Sequence, residues 1–84
     1  TCVSAYGHLG VVYYVRRNYE EAIVNFKRAI GLGVDRVEYY YALGLSYAYL
    51  DQCDQARPWL EKALAMDPQS LPALRGLELC ASSE

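Results

Sequence analysis

Few side chains in this chain can do chemistry, and their spacing assembles none of them into a reactive set. His8 is the only histidine among 84 residues. It stands two positions after Tyr6 on a stretch of helical periodicity, with no serine or carboxylate at a useful fixed spacing, and reads as structural. Cys2, Cys53 and Cys80 are an odd number at wide spacings, with no C-x-x-C pair. A zinc site is not expected, and the thiols read as reduced side chains packed in helices. Gly31-Leu32-Gly33 lacks the third glycine and the preceding strand of a dinucleotide fingerprint, so helix capping is the better account. Glu20 and Glu21 open a helix, where acidic side chains suit the macrodipole, and Asp51, Asp54 and Glu61 read as a solvated face. No catalytic, metal-binding or cofactor-binding residue is assigned, and an enzyme is not expected.

Tyrosine is the exception in this composition, with nine in the chain. It brings a large flat area, few rotamers and one polar tip, which suits recognition better than catalysis. Net charge is −2 with both signs scattered, so a nucleic-acid surface, which needs a concentrated basic face, is not expected. The apolar stretches are broken by Arg16, Arg17 and Asp35, so membrane insertion is not expected either. No signal peptide is visible, and a cytoplasmic location is expected. The chain starts at Thr1 without Met, which reads as a fragment of a longer polypeptide.

The elements that position these tyrosines repeat. Val3, Tyr6, Leu9, Gly10, Tyr13, Ala22 and Ala29 reappear 34 positions later as Val37, Tyr40, Leu43, Gly44, Tyr47, Ala56 and Ala63. A fixed period of that size marks a stacked repeat. Spacing of the i, i+3, i+4, i+7 kind predicts five helices, over 3–16, 19–31, 36–50, 53–66 and 70–82. Arg17-Asn18 and Asp51-Gln52 read as short polar turns, and Gly31 to Gly33 as a helix end. Asp35 with Glu38 reads as a capping box. Asp67-Pro68 reads as a break, Ser70 as an N-cap and Pro72 as a first-turn proline. Short connections make successive helices antiparallel. Gly10 and Gly44 then admit close approach of a facing helix, while Tyr13, Tyr47, Phe26 and Leu60 fill the wider gaps.

This pattern resembles the tetratricopeptide repeat. The first unit has Tyr6, Leu9-Gly10, Tyr13, Ala22, Phe26 and Ala29; the second has Tyr40, Leu43-Gly44, Tyr47, Ala56, Leu60, Ala63 and Pro68. The resemblance implies an all-α, right-handed helical-repeat stack. Residues 1–84 would form a single domain fragment, with units 3–36 and 37–70 and a closing or partial third-unit helix at 70–82. Val34 replaces the first unit's proline, and Glu78 stands where a third unit would have glycine. In this family the first helix of each unit lines a concave groove. The groove places map to Ser4, Gly7, Val11, Tyr14 and Val15, then Glu38, Tyr41, Leu45, Ala48 and Tyr49, and finally Pro72, Arg75, Leu79, Ser82 and Ser83.

The partner-binding residues expected from that mapping are Val11, Tyr14, Val15, Tyr41, Leu45, Tyr49, Arg75 and Leu79. The clamp that grips the acidic C-terminus of Hsp70 and Hsp90 is not expected, because its places hold Gly7, Val11, Ala42, Pro72 and Gly76. The implied function is a protein-protein interaction module or scaffold that presents an apolar, tyrosine-rich groove to a peptide or helix. The alternatives are a self-assembly segment of a longer repeat array, or an accessory region of a larger enzyme. A homodimer through apolar repeat ends is also expected, because Leu71, Leu74, Leu77 and Leu79 on the last helix, and Val3, Leu9, Val11, Val12 and Val15 on the first, are apolar on more than one side.

Overall fold

Helical periodicity governs the whole chain. The computed structural model describes the backbone of residues 3–82 and the side chains of 5–81. Helix α1 spans Val3–Val15, α2 Tyr19–Gly31, α3 Val37–Tyr49, α4 Cys53–Met66 and α5 Leu71–Ser82, and no strand occurs among the described residues. The expected ends at 16, 36, 50 and 70 each move inward by one residue. The side chains of Cys2, Ser4, Ser82 and Ser83 lie outside the described set.

Three helices end in the same way. After α1, the Asn18 N–H donates to the Tyr13 carbonyl at 2.8 Å and the Arg17 N–H to Tyr14 at 3.0 Å. After α3, Gln52 donates to Tyr47 at 2.9 Å and Asp51 to Ala48 at 3.0 Å. After α2, Val34 donates to Ala29 at 3.1 Å and Gly33 to Ile30 at 3.0 Å. This is the Schellman arrangement, which needs one residue in the left-handed region. Gly33 takes it at φ 98° without steric cost, whereas Arg17 and Asp51 take it at φ 63° and pay roughly 1–2 kcal/mol each for the Cβ. The sequence period is thus also a period of the backbone.

The entry to α3 corrects one expectation. Arg36 is the N-cap and makes no side-chain capping bond. Because α3 starts at Val37, Asp35 sits one position too early to cap. Its carboxylate instead accepts the Tyr40 hydroxyl at 2.7 Å. Glu38 lies 3.7 Å from the Arg36 guanidinium, an exposed pair of little energetic weight. The entry to α5 follows the sequence: Ser70 Oγ accepts the Ala73 N–H at 3.4 Å, and the Asp67 carboxylate accepts Gln69 N–H at 3.2 Å.

Helices α1 and α2 form one hairpin and α3 and α4 a second; α2 joins them through α3, and α5 covers α4 and α3. Large side chains enter spaces left by glycine. A Cβ on Gly10 would lie 2.6 Å from the Phe26 ring, and one on Gly44 would lie 2.6 Å from Leu60 Cγ. Leu60 is held from the other side too, since a Cβ on Gly76 would come within 2.7 Å of it. Phe26, Leu60, Ala22, Ala29, Ala56 and Ala63 have no exposed surface. Glu78, in register with Gly44, is exposed.

A second correction concerns the cysteines. Cys53, the first residue of α4, and Cys80, in the last turn of α5, form a disulfide, where reduced thiols were expected. The two are 27 residues apart in sequence, but antiparallel packing brings the start of α4 beside the end of α5. Their Cα atoms are 5.5 Å apart, within the span a disulfide bridges.

Gly44→Leu is expected to cost about 1–3 kcal/mol by overpacking. Gly31→Ala, at a helix end with nothing within 4 Å of the added methyl, is the control. Thermal melting distinguishes them; equal midpoints for the two variants would show that α3 and α4 do not meet at Gly44.

Candidate groove between the first helices of each hairpin

Three tyrosines, Tyr14, Tyr19 and Tyr49, meet where α1 ends, α2 begins and α3 ends. Tyr19, the first residue of α2, stacks on Tyr49 with ring centroids 4.9 Å apart and planes at 27°. It meets Tyr14 edge-on at 5.8 Å. Offset and edge-on contacts of this kind suit the aromatic quadrupole. Burial pushes the Tyr14 phenol up to about 12, helped by Tyr49, Tyr19 and Tyr41, whose phenolates would repel its own, and by the nearby Tyr49 hydroxyl.

Beside this cluster lies a solvent-open cavity of about 470 Å³, lined by Tyr14, Leu45, Tyr49, Leu71, Pro72 and Arg75. Leu45 forms its buried floor and also touches the Gly76 site, so floor and core are continuous. Tyr49 leaves about half its surface, 49%, in water. Arg75 is exposed at the α5 side and makes no ion pair among the described residues. The surface is therefore aromatic and aliphatic with one cationic edge. It can hold an apolar side chain, and it contains no nucleophile, base or acid poised for chemistry.

Four of the eight expected binding residues, Tyr14, Leu45, Tyr49 and Arg75, come together here. The other four do not line the cavity. Val11 and Val15 are exposed on α1, Leu79 is exposed on α5, and Tyr41 is half-buried against the core. Gly7, mapped to the groove, is buried beneath the Tyr39 ring, which also lies 5.7 Å from Phe26. Two contributors have no place in the groove mapping. Tyr19, the first residue of α2, meets Tyr14 and Tyr49 beside two helix ends. Leu71 was assigned to the apolar end of α5, and nothing in its spacing marks it as groove-lining.

Among the described residues no group of three or more His, Cys, Asp or Glu side chains could hold a metal ion. No helix among them is long and apolar enough to cross a membrane.

Tyr14 carries a pH prediction. In the unfolded chain its phenol ionises near 10, in the fold at about 12. Between these values the unfolded state has lost the proton and the folded state keeps it. Its contribution to stability is therefore complete below pH 10 and is lost as pH rises through about 12. Ultraviolet titration of the phenolate band is expected to show a late step that Tyr14→Phe reduces, the remainder belonging to Tyr40, which burial and Asp35 also raise; an unchanged curve in the variant would refute the assignment.

The model of the tetratricopeptide repeat family matches residues 1–69. The uncharacterized protein ycf37 of Guillardia theta is 31% identical over 74 residues, which cover 82% of this chain. The chain spans 42% of that relative's length. No solved structure matches. With the family model matching most of its length and the stacked hairpins in place, the chain belongs to the tetratricopeptide repeat family, whose members generally mediate protein-protein interaction.

Proposed function

We propose that the chain binds a peptide segment of a partner protein in the groove between α1, α3 and α5, and that it catalyses nothing itself. The observation carrying this reading is the cavity lined by Tyr14, Leu45, Tyr49, Leu71, Pro72 and Arg75. Its walls come from both repeat units and from α5, taken as the first helix of a partial third unit. Aromatic anchors in a partly desolvated hollow are the usual centre of a binding surface. An aromatic or large aliphatic side chain of the peptide fits the hollow, and the unpaired Arg75 favours an acidic side chain next to it. Val11, Val15, Tyr41 and Leu79, which do not line the hollow, enter this reading as contacts of lesser weight. A cytoplasmic location remains part of this reading.

Selection from a displayed library of random peptides tests it. Enriched peptides are expected to carry an aromatic or large aliphatic residue adjacent to Asp or Glu. Tyr49→Ala is expected to weaken an enriched peptide by about 1–4 kcal/mol with the helical content intact. Arg75→Ala should weaken the acidic peptide and spare its amide counterpart. Unchanged affinity in both variants would move the site elsewhere.

Self-association is a second reading, favoured by one observation. Leu71, Leu74 and Leu79 on α5, and Leu9, Val12 and Val15 on α1, are exposed apolar side chains, Leu71 and Val15 at 72%. Such patches mark contact surfaces. Sedimentation from about 10 μM to 1 mM is expected to show a dimer that Leu74→Lys abolishes more than Tyr41→Lys; these concentrations bracket the weak homodimers that patches of this kind form. A monomer throughout would end this reading.

A further inference from the structure

We propose that Cys53 and Cys80 form a reversible dithiol–disulfide site whose state sets whether α5 is held closed against the groove. This deepens the groove reading above and rests on it for the effect on binding.

Helix α5 has 12 residues, a length that is marginal without tertiary support. Its inner face carries the buried Ala73, Gly76 and Cys80 and the half-buried Leu77, while Leu71 stands largely in water and Leu74 and Leu79 keep about two-fifths of their surface exposed. At its start the chain returns to α4 through Asp67, Pro68, Gln69 and Ser70. Its end is held by Leu77, which packs against the main core, and by the Cys53–Cys80 bond. The disulfide closes a loop around α4 and α5 and ties the last turn of α5 to the start of α4. A loop of this length loses substantial freedom in the unfolded chain when it is closed. Three of the six cavity residues, Leu71, Pro72 and Arg75, belong to α5. Releasing α5 removes one wall of the cavity and uncovers Leu60 and Leu45, on which Gly76 is seated.

The two sulfurs are unequally placed. Cys53 is half-buried and Cys80 has no exposed surface. A thiolate of an external dithiol, of the C-x-x-C oxidoreductase class, therefore attacks Sγ of Cys53. The Cys53–Cys80 bond breaks, and Cys80 leaves as thiolate and takes a proton. The donor's second thiol then displaces Cys53 and closes the donor's own disulfide. Two electrons and two protons pass to the protein. The reverse exchange with an oxidised donor restores the pinned form.

The test uses the whole chain with dithiothreitol as the dithiol. Alkylation under denaturing conditions, read by mass, is expected to label one cysteine, Cys2, in the air-oxidised chain and all three after reduction. Three labelled thiols without reduction would overturn the proposal. Hydrogen exchange is expected to show α5 amides exchanging at least about tenfold faster after reduction, with α1 and α2 unchanged, and Tm falling by roughly 10 °C or more. Unchanged α5 protection would overturn the gate. Cys80→Ser places a hydroxyl in a buried site and can unfold the chain, so Cys53→Ser at the half-buried end is the working variant. It should show the reduced exchange pattern with or without dithiothreitol; α5 protection equal to the oxidised parent would refute the idea. None of these readouts needs a partner. A failed gate leaves the peptide-selection result standing, and a failed groove leaves the disulfide result standing.

Discussion

The fold depends on a large side chain seated between two glycines. Leu60 of α4 meets Gly44 of α3 on one side and Gly76 of α5 on the other, at separations where even a methyl would collide. That contact sets how closely three helices approach. Phe26 and Gly10 do the same within the first hairpin. Close approach is what allows short helices of 12 to 14 residues to bury enough of each other to remain ordered.

The groove is a by-product of that spacing. Once α1 and α3 lie side by side, their ends bring Tyr14 and Tyr49 together, with Leu71, Pro72 and Arg75 of α5 across the hollow. Tyr14 turns inward enough to keep its proton to about pH 12, while Tyr49 stays half in water. Tyr19 bridges them from α2. The rings therefore support one another as well as presenting a surface, and a partner would meet a preformed wall with few side chains left to order.

Periodicity made the helices legible. The 34-residue recurrence located both hairpins, both glycine contacts and the turns at Arg17 and Asp51, because each of these is a local demand on residue type. What escaped the sequence depends on distance between elements. The Asp35–Tyr40 bond arises from a one-residue shift in helix start. Cys53 and Cys80 carry no spacing signal, since their meeting is set by the antiparallel pairing of α4 with α5. The site was half legible for the same reason. The family's groove mapping includes Tyr14, Leu45, Tyr49 and Arg75, which line the hollow, but register alone does not tell how far Val15 or Leu79 stands from a hollow formed by three helices.

Leu45 shows why recognition and stability are difficult to separate in so small a repeat. It is 6% exposed, belongs to the main core cluster, touches the Gly76 position and forms the cavity floor. A ligand group entering the hollow would rest on the side chain against which α5 is seated. Occupying the groove and holding α5 in place are then favoured together, since each contributes contacts to the same leucine. Tyr49 shares this double duty through its stack on Tyr19, whereas Arg75 at the rim is exposed and makes no ion pair among the described residues, and so it is where specificity can vary at the least cost to the stack.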